Sequence, residues 1–396
     1  MTLPAGLPQP DPTALEHSIK VANNIAKQIN SSPDKRISFE HWMDMALYEP
    51  GLGYYVAGST KIANQPEADF TTAPELSPIF GHVVAQQVKQ VIEASSPNIL
   101  EFGAGTGALA HAVLQRLHTL GIKAKYYILE VSPELQQRQK HRLAEFETQV
   151  EWITSLPYEF SGCVLANEVL DAMPVQLFQW GTETNPSLYE LYVSLQNEQS
   201  NNTPVFKWDR VPACAQLEEA VKSRMPALPG YTSEVNLRAN AWIKQMGSWL
   251  KQGAALIFDY GFPQAEYYHP QRAEGTLMCH FRHHTHANPL VLPGIQDITA
   301  HIDFTSIADA ALEGNMEVAG YTSQANFLIN SGLMQLLQEY HVNGSAQHQA
   351  QTMAVVQKLL SEAEMGELFK VIALTNNLDH EYPLIGFAQS DRRHRL

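Results

Sequence analysis

The stretch Ile99–Ala110, ILEFGAGTGALA, constrains the fold of this chain more than any other. Its apolar start is typical of a short buried strand, and glycines then recur at alternate positions, Gly103, Gly105 and Gly107. Apolar side chains return at helical spacing directly afterwards, which predicts a helix. Glycine permits a tight bend and a close approach of the backbone to a ligand because it has no Cβ. A strand, a glycine turn and a helix N-terminus together indicate a nucleotide cradle.

The next predicted strand, Tyr126–Leu129, ends in an acidic residue, Glu130. A carboxylate at this point can accept hydrogen bonds from both hydroxyl groups of a ribose. A glycine-rich turn without a ligand would not require an acid there. The position of Glu130 therefore favours a cofactor site over a purely structural turn.

The glycine pattern fits two classes of cofactor site. The spacing Gly103-x-Gly105-x-x-Ala108 is a loose dinucleotide fingerprint. The spacing Glu101-x-Gly103-x-Gly105-x-Gly107 is closer to the S-adenosylmethionine (SAM) loop of Rossmann-like methyltransferases. Dinucleotide domains usually begin near their fingerprint, whereas a long segment precedes the loop here. We therefore favour SAM over NAD.

Strands and helices alternate along the middle of the chain. This alternation predicts an α/β fold with a Rossmann-like core, in which a mostly parallel sheet carries helices on both faces. The predicted strands are 99–102, 125–130, 150–154, 162–166 and 254–259, and the predicted helices between them are 107–118, 133–146 and 234–250.

Two further regions complete the predicted domain organisation. Residues 1–95 contain helical patterns and are expected to form a helical N-terminal lid over the cofactor. Residues 96–396 are expected to form the methyltransferase-like core. This core would carry a hairpin insertion at about 183–231 and a long irregular insertion at about 262–304, since the latter shows no clear regular pattern.

Composition narrows the function classes. The formal net charge of −15 argues against wrapping of nucleic acid. The cysteines, Cys163, Cys214 and Cys279, show neither metal-ligand spacing nor a disulfide framework, which suits a reducing compartment.

The histidine-rich run Arg282–His286 lacks a carboxylate motif at metal-ligand spacing and is expected to be a surface loop, so no metal is predicted. We find no apolar run of membrane-spanning length and no targeting signal, and therefore expect a cytoplasmic protein.

The stretch Asn167–Pro174, NEVLDAMP, follows the fourth predicted strand. Open parallel sheets bind ligands at the carboxyl ends of their strands. Glu168 and Asp171 would face the same side if this turn were helical, and a carboxylate pair can bind a guanidinium by bidentate hydrogen bonds. The same pair could instead deprotonate a hydroxyl. The competing interpretation is helix capping by Asn167 with solvated acids.

The stretch Asp297–Phe304, DITAHIDF, alternates as a strand does. His301 and Asp303 would then share a face and are predicted to bind substrate. Together with Asp297 they could also bind a metal. A histidine near acids can equally be a hydrogen-bonded structural residue.

Several segments that occur in this order resemble the MidA-like family of SAM-dependent methyltransferases. The resemblance covers roughly residues 37–389. It rests on the glycine loop and on Glu40–Tyr55 (EHWMDMALYEPGLGYY), Asp69–Gly81 (DFTTAPELSPIFG), Asn167–Val175 (NEVLDAMPV), Ser233–Leu237 (SEVNL), Asp297–Phe304 (DITAHIDF) and Met365–Leu374 (MGELFKVIAL).

The resemblance implies roles for particular residues. Contact with SAM is implied for Glu101, Gly103, Ala104, Gly105, Gly107, Glu130 and Asn167, with Thr72, Ala73, Pro74 and Glu75 packed close to it. Lining of the reaction site is implied for Asn167, Glu168 and Asp171, of which the two acids would be catalytic. The family includes a mitochondrial assembly factor that dimethylates an arginine of a respiratory complex subunit. The resemblance thus implies a protein substrate, such as a respiratory complex subunit, and methylation of arginine.

Three functions stay open on the sequence. The first is a protein arginine methyltransferase, and the second is a methyltransferase for a small molecule or another residue. The third is a non-catalytic assembly chaperone that retains the fold. The presence of Glu101, Glu130 and Glu168 favours an active enzyme.

Overall fold

The fold is described from a computed structural model that covers residues 3–57, 72–196, 203–343, 346–378 and 383–396. Residues 69–71 of the Asp69–Gly81 segment lie outside these ranges. The chain forms two compact units. The first unit comprises Met1–Phe70, Asp171–Ala239 and Gln264–His301, and the second comprises Thr71–Leu170, Asn240–Pro263 and Ile302–Leu396.

The helices, numbered in chain order, are α1 (Pro12–Ser31), α2 (Phe39–Tyr48), α3 (Ala73–Leu76), α4 (Pro78–Glu93), α5 (Ala108–Thr119), α6 (Pro133–Arg142), α7 (Ala215–Arg224), α8 (Leu237–Trp249), α9 (Gln264–Tyr267), α10 (Phe304–Glu313), α11 (Gln324–Asn330), α12 (Leu333–Asn343) and α13 (Ala346–Leu360). The strands are β1 (Arg36–Ser38), β2 (Asn98–Phe102), β3 (Lys125–Leu129), β4 (Val150–Ile153), β5 (Phe160–Asn167), β6 (Gln176–Thr182), β7 (Asn185–Leu195), β8 (Phe206–Pro212), β9 (Thr232–Val235), β10 (Leu250–Phe262), β11 (Met278–Phe281), β12 (His284–His286), β13 (Asp297–Thr299), β14 (Ile302–Asp303), β15 (Glu317–Ser323) and β16 (Phe369–Asn376).

The second unit is built on one sheet with the strand order β15-β16-β10-β5-β2-β3-β4, and β14 pairs with β10. Strands β10, β5, β2, β3 and β4 are parallel. At one edge β16 pairs antiparallel with β10, and β15 pairs antiparallel with β16. The predicted mostly parallel sheet is therefore confirmed. Its central strands read as apolar runs because they are buried, as is usual for parallel strands covered by helices.

Helices α4 and α5 pack closely against each other in this unit. A Cβ at Gly81 in α4 would lie 2.5 Å from the Cβ of Ala112 in α5, so only glycine fits at that contact. Apolar side chains of α4, such as Val84 and Val88, join those of β2 and β10 in the same buried core. This packing fixes the start of α5, where the glycine loop ends.

The first unit contains two antiparallel sheets. The larger has the order β1-β7-β6-β9 with β8 on β7, and the smaller has the order β12-β11-β13. Trp42 and Phe39 of α2 are fully buried in the core of the first unit. Helix α2 begins where predicted, since the Ser38 side chain accepts a hydrogen bond from the backbone N–H of His41.

The segment 262–304 is predicted to be an irregular insertion, but in the structure it contains regular elements. It contains α9 and the strands β11, β12, β13 and β14. These strands are two to four residues long, too short to show a period, and β11 pairs with β13 across a long connection. Strand β11 is therefore stabilised by hydrogen bonds to a strand that is distant in sequence.

Two predicted helices have different bounds. The helix predicted for 234–250 begins only at Leu237, because Thr232–Val235 pairs with β6 as strand β9. Asn236 separates the two elements and accepts a hydrogen bond from the N–H of Ala239. The helix predicted for 133–146 ends at Arg142 and is followed by a short 3-10 turn at Ala144–Phe146. Among the described residues, no helix has both the length and the apolar character needed to cross a membrane.

Candidate active site

Three predicted cofactor positions lie in one row of the sheet of the second unit. Phe102, the last residue of β2, pairs with Leu129 of β3 and with Ala166 of β5. The next row therefore holds Gly103, Glu130 and Asn167. Ligands of open parallel sheets bind at this edge. The sheet register brings together residues that stand far apart in the sequence.

The glycine loop between β2 and α5 has the backbone conformation that its sequence predicts. Gly103, Gly105 and Gly107 have φ angles of +59°, +53° and +84°. These angles lie in the left-handed region, where a Cβ causes strain. Ala104, which is buried, accepts a hydrogen bond from the N–H of Gly107 over 2.8 Å and so closes the turn.

Glu101 lies in β2, two residues before the loop, and is only 2% exposed. Its Oε2 accepts a hydrogen bond from the hydroxyl of Tyr126 in β3 over 2.7 Å. Burial raises the pKa of Glu101 to about 8, and the Tyr126 hydrogen bond partly offsets this rise. The carboxyl is thus engaged inside the sheet, and its predicted role toward the cofactor stays a prediction.

Glu130 is held at the end of β3 by hydrogen bonds to both carboxylate oxygens. The N–H of Ser132 donates to Oε1 over 2.9 Å, and the Gln139 side chain donates to Oε2 over 3.0 Å. Burial raises the pKa of Glu130, and these bonds oppose the rise. A carboxylate oxygen has more than one lone pair, so an oriented Glu130 can still accept hydroxyl hydrogens.

The predicted segment Thr72–Glu75 also lies near the loop. Thr72 precedes the short helix α3, which contains Ala73, Pro74 and Glu75, and Ala73 is fully buried. The Glu75 carboxylate accepts a hydrogen bond from the hydroxyl of Thr106 in the loop, and Arg142 of α6 donates to both residues. Glu75 therefore contacts the glycine loop through Thr106.

The turn after β5 has an unusual backbone. Glu168 has a φ angle of +53°, and its N–H donates to the carbonyl of Phe258 over 2.9 Å. Non-glycine residues rarely adopt this conformation, and such strain often accompanies functional sites. The side-chain amide of Asn167 donates to the Glu168 carboxylate over 3.1 Å. The turn is fixed further because the Asp259 carboxylate accepts from the N–H of Leu170 over 3.0 Å.

Asp259 was not predicted as a site residue. It is fully buried in β10, one residue after the last residue that pairs with β5, and its second oxygen accepts from the N–H of Tyr260. The sequence offered one signal for it, because Asp259 directly follows the apolar run Ala254–Phe258. An acid buried at such a position needs a polar partner. Here that partner is the backbone of the Glu168 turn.

The condition under which Glu168 and Asp171 would face the same side is not met, because the turn that contains them is not helical. Residues 168–171 form bends and turns rather than a helix, so spacing by three does not place both side chains on one helix face. Asp171 begins a segment of the first unit, whereas Glu168 belongs to the second. Within the first unit, the carbonyl of Asp171 accepts a hydrogen bond from the N–H of Ala300.

The predicted substrate residues His301 and Asp303 have clear backbone roles. His301 donates its N–H to Thr276 over 2.9 Å, and its carbonyl accepts from the hydroxyl of Tyr267 over 3.1 Å. Asp303 caps α10 by accepting from the N–H groups of Thr305 and Ser306. Their substrate contacts stay a prediction. Throughout the described ranges, no group of histidine, cysteine and acidic side chains could hold a metal.

A parallel sheet with Gly103, Glu130 and Asn167 in one row at its edge is the arrangement expected of a SAM-dependent methyltransferase. The family of S-adenosyl-L-methionine-dependent methyltransferases matches residues 79–322. The chain belongs to this family, and the predicted fold, enzyme class and cofactor are confirmed.

Individual relatives narrow the comparison. A crystal structure from Burkholderia thailandensis with S-adenosyl-homocysteine bound shares 40% identity, covers 99% of this chain and 100% of its own, and superposes with a TM-score of 0.90. The protein arginine methyltransferase NDUFAF7 homolog, mitochondrial, of Drosophila melanogaster is 27% identical over 96% of this chain and 92% of its own length. The protein arginine methyltransferase NDUFAF7, mitochondrial, of Danio rerio is 28% identical over 86% and 83%.

The predicted cytoplasmic location is wrong when judged by these relatives. The curated relatives from Drosophila melanogaster, Danio rerio and Homo sapiens are all named mitochondrial. The prediction rested on cysteine usage and on finding neither a membrane-length apolar run nor a targeting signal, and these features are weak evidence for a cellular location.

The residues at the sheet edge fit SAM. The glycine loop lacks Cβ atoms at its three left-handed positions, so its backbone can approach a ligand. The buried Asn167 Oδ1 has no hydrogen-bond partner among the described residues and can accept one from a ligand. Glu130 offers oriented carboxylate oxygens. We therefore propose that the loop, Glu130 and Asn167 are the groups that would hold SAM.

We expect Glu130→Ala to weaken binding of S-adenosyl-homocysteine by about 10- to 100-fold, because hydrogen bonds to a charged acceptor are lost. Isothermal titration calorimetry measures this change without any methyl acceptor. Glu159→Ala, at an exposed acid of the same unit, is the matched control and should leave the affinity unchanged. An unchanged affinity in Glu130→Ala would remove Glu130 from the cofactor site.

Proposed function

We propose that this protein methylates an arginine side chain of a partner protein. The observation that carries the proposal is the match to relatives named protein arginine methyltransferases, which extends over 96% of this chain and 92% of the Drosophila melanogaster relative. A likeness of this extent involves the whole chain rather than the cofactor-binding core alone. The resemblance described above extends the proposal to a subunit of a respiratory complex as the acceptor.

Bound SAM supplies an electrophilic methyl group on a sulfonium. The chain's own residues must then hold an acceptor nitrogen in line with that group, and orientation of this kind accounts for much of the rate of such enzymes. A guanidinium is planar and stays charged at neutral pH, so it needs a carboxylate that binds its N–H groups. Such binding would draw positive charge toward the carboxylate and leave electron density on the opposite nitrogen.

We propose Glu168 as the carboxylate that binds the guanidinium. It stands one residue beyond Asn167 in the sheet edge that holds the cofactor groups, and its turn is fixed by Phe258 and Asp259. A rigid turn favours precise orientation of an acceptor. Asp171 is proposed to assist Glu168 in binding the guanidinium, but the proposal depends on Glu168.

The proposal is tested by incubating the purified protein with methyl-labelled SAM and an extract from its own organism. Mass spectrometry of the digested proteins should locate the label on arginine, and a sample with Glu168→Gln should lack it. Label on another side chain or on a small molecule would replace arginine as the acceptor. Cofactor binding without any transfer would favour the assembly chaperone.

A further inference from the structure

Gln139 is the one buried residue of helix α6, which is otherwise exposed or half-buried. Its exposed fraction is 0%. A polar side chain buried in this way costs free energy unless its hydrogen-bonding groups find partners. The partners of Gln139 therefore indicate why a glutamine stands at this position.

The side-chain amide of Gln139 joins three separate segments of the second unit. Its Nε2 donates to the carbonyl of Gly105 over 2.8 Å and to Oε2 of Glu130 over 3.0 Å. Its Oε1 accepts from the indole N–H of Trp152 in β4 over 2.9 Å. Both amide hydrogens and the amide oxygen are thus engaged.

Trp152 fixes the orientation of this amide. An indole nitrogen can only donate a hydrogen bond, so the amide oxygen must face it and the amide nitrogen must face Gly105 and Glu130. Glutamate at position 139 would place a second carboxylate against Glu130 and against a carbonyl. The site therefore specifies glutamine by its donor and acceptor pattern.

Gln139 also lies beside the loop at Gly107. A Cβ at Gly107 would lie 3.4 Å from both Cα and Cγ of Gln139, which is an ordinary van der Waals distance. The loop is bound to Gln139 by the hydrogen bond at Gly105. The same side chain orients the carboxylate of Glu130.

We infer that Gln139 is a positioning residue for the cofactor. It orients the Glu130 carboxylate before SAM arrives, and preorganisation of this kind raises affinity. It acts through Glu130 and needs no contact of its own with the cofactor. The inference concerns cofactor binding alone and is independent of the acceptor.

The decisive test is a double-mutant cycle between Gln139 and Glu130. Gln139→Met keeps the length of the side chain and removes its hydrogen bonds. It should weaken binding of S-adenosyl-homocysteine, measured by calorimetry, by about 10- to 30-fold in the wild-type background. In the Glu130→Gln background the same substitution should cost about threefold or less, because the charge it orients is gone. Equal losses in both backgrounds would overturn the inference, since a general structural role predicts them.

Two further variants keep the test conclusive. Gln137→Met, at an exposed position of the same helix, should leave the affinity unchanged and controls for the substitution itself. Trp152→Phe keeps an aromatic ring but removes the indole N–H donor, and should weaken binding by about two- to fivefold, again less so with Glu130→Gln. Thermal unfolding without ligand checks that each variant folds. If Gln139→Met does not fold, Trp152→Phe decides, and an unchanged affinity there would overturn the inference.

Discussion

Glu168→Gln is expected to lower methyl-transfer turnover by about 100- to 1,000-fold, a typical loss when one group that stabilises the transition state is removed. The affinity for S-adenosyl-homocysteine should stay within about twofold, because Glu168 is proposed to bind the acceptor and the substitution removes charge without changing size. The experiment compares turnover under saturating SAM with cofactor affinity from calorimetry. A selective loss of turnover would place Glu168 at the acceptor.

The backbone at Glu168 does not confound this comparison. Glutamate and glutamine both carry a Cβ, so the strain at a φ angle of +53° is the same in both proteins. Glu151→Gln, at an exposed acid of β4 in the same unit, is the matched control and should keep full turnover. Full turnover in Glu168→Gln would remove this residue from the acceptor site, and a parallel loss of cofactor affinity would reassign it to SAM.

The sheet and its cofactor edge could be predicted because their signals are local. Strands β2 and β5 are buried over most of their length and therefore read as apolar runs, and each is followed by polar or glycine residues. Parallel strands place such residues at one edge. The sequence order of Gly103, Glu130 and Asn167 was therefore enough to predict that they lie together.

The turn at Glu168 and the burial of Gln139 could not be predicted, because both depend on residues that are distant in sequence. The turn at Glu168 is set by Phe258 and Asp259, about ninety residues away, which no helical spacing rule could anticipate. Gln139 looks like one more polar residue of a polar helix. Its burial follows from Gly105, Glu130 and Trp152, and only their combined positions reveal it.

Glu101 should make the stability of the second unit depend on pH. Its pKa is raised from 4.5 to about 8 in the folded protein because burial disfavours the charged form. The folded state therefore holds a proton that the unfolded state releases between these values. The stabilising contribution is fully present below pH 4.5 and is lost as the pH rises through about 8.

The variant Glu101→Gln isolates this contribution. Glutamine can still accept the Tyr126 hydrogen bond and has no proton to lose, so the variant should gain stability relative to wild type as the pH rises. A single group can change the free energy of unfolding by about 1.4 kcal/mol per pH unit, so the difference between the two proteins should shift by roughly 3–4 kcal/mol from pH 5 to pH 8. Urea unfolding followed by tryptophan fluorescence at several pH values measures this shift.

Tyr126→Phe tests the same carboxyl from the other side. The Tyr126 hydroxyl donates to Glu101 over 2.7 Å and lowers the pKa of Glu101, so its removal should raise that pKa further. The pH-dependent loss of stability should then extend to higher pH than in wild type. If the difference between Glu101→Gln and wild type does not vary between pH 5 and pH 8, Glu101 is ionised in the folded sheet. The carboxylate would then carry charge at neutral pH, and its predicted contact with the cofactor would gain support.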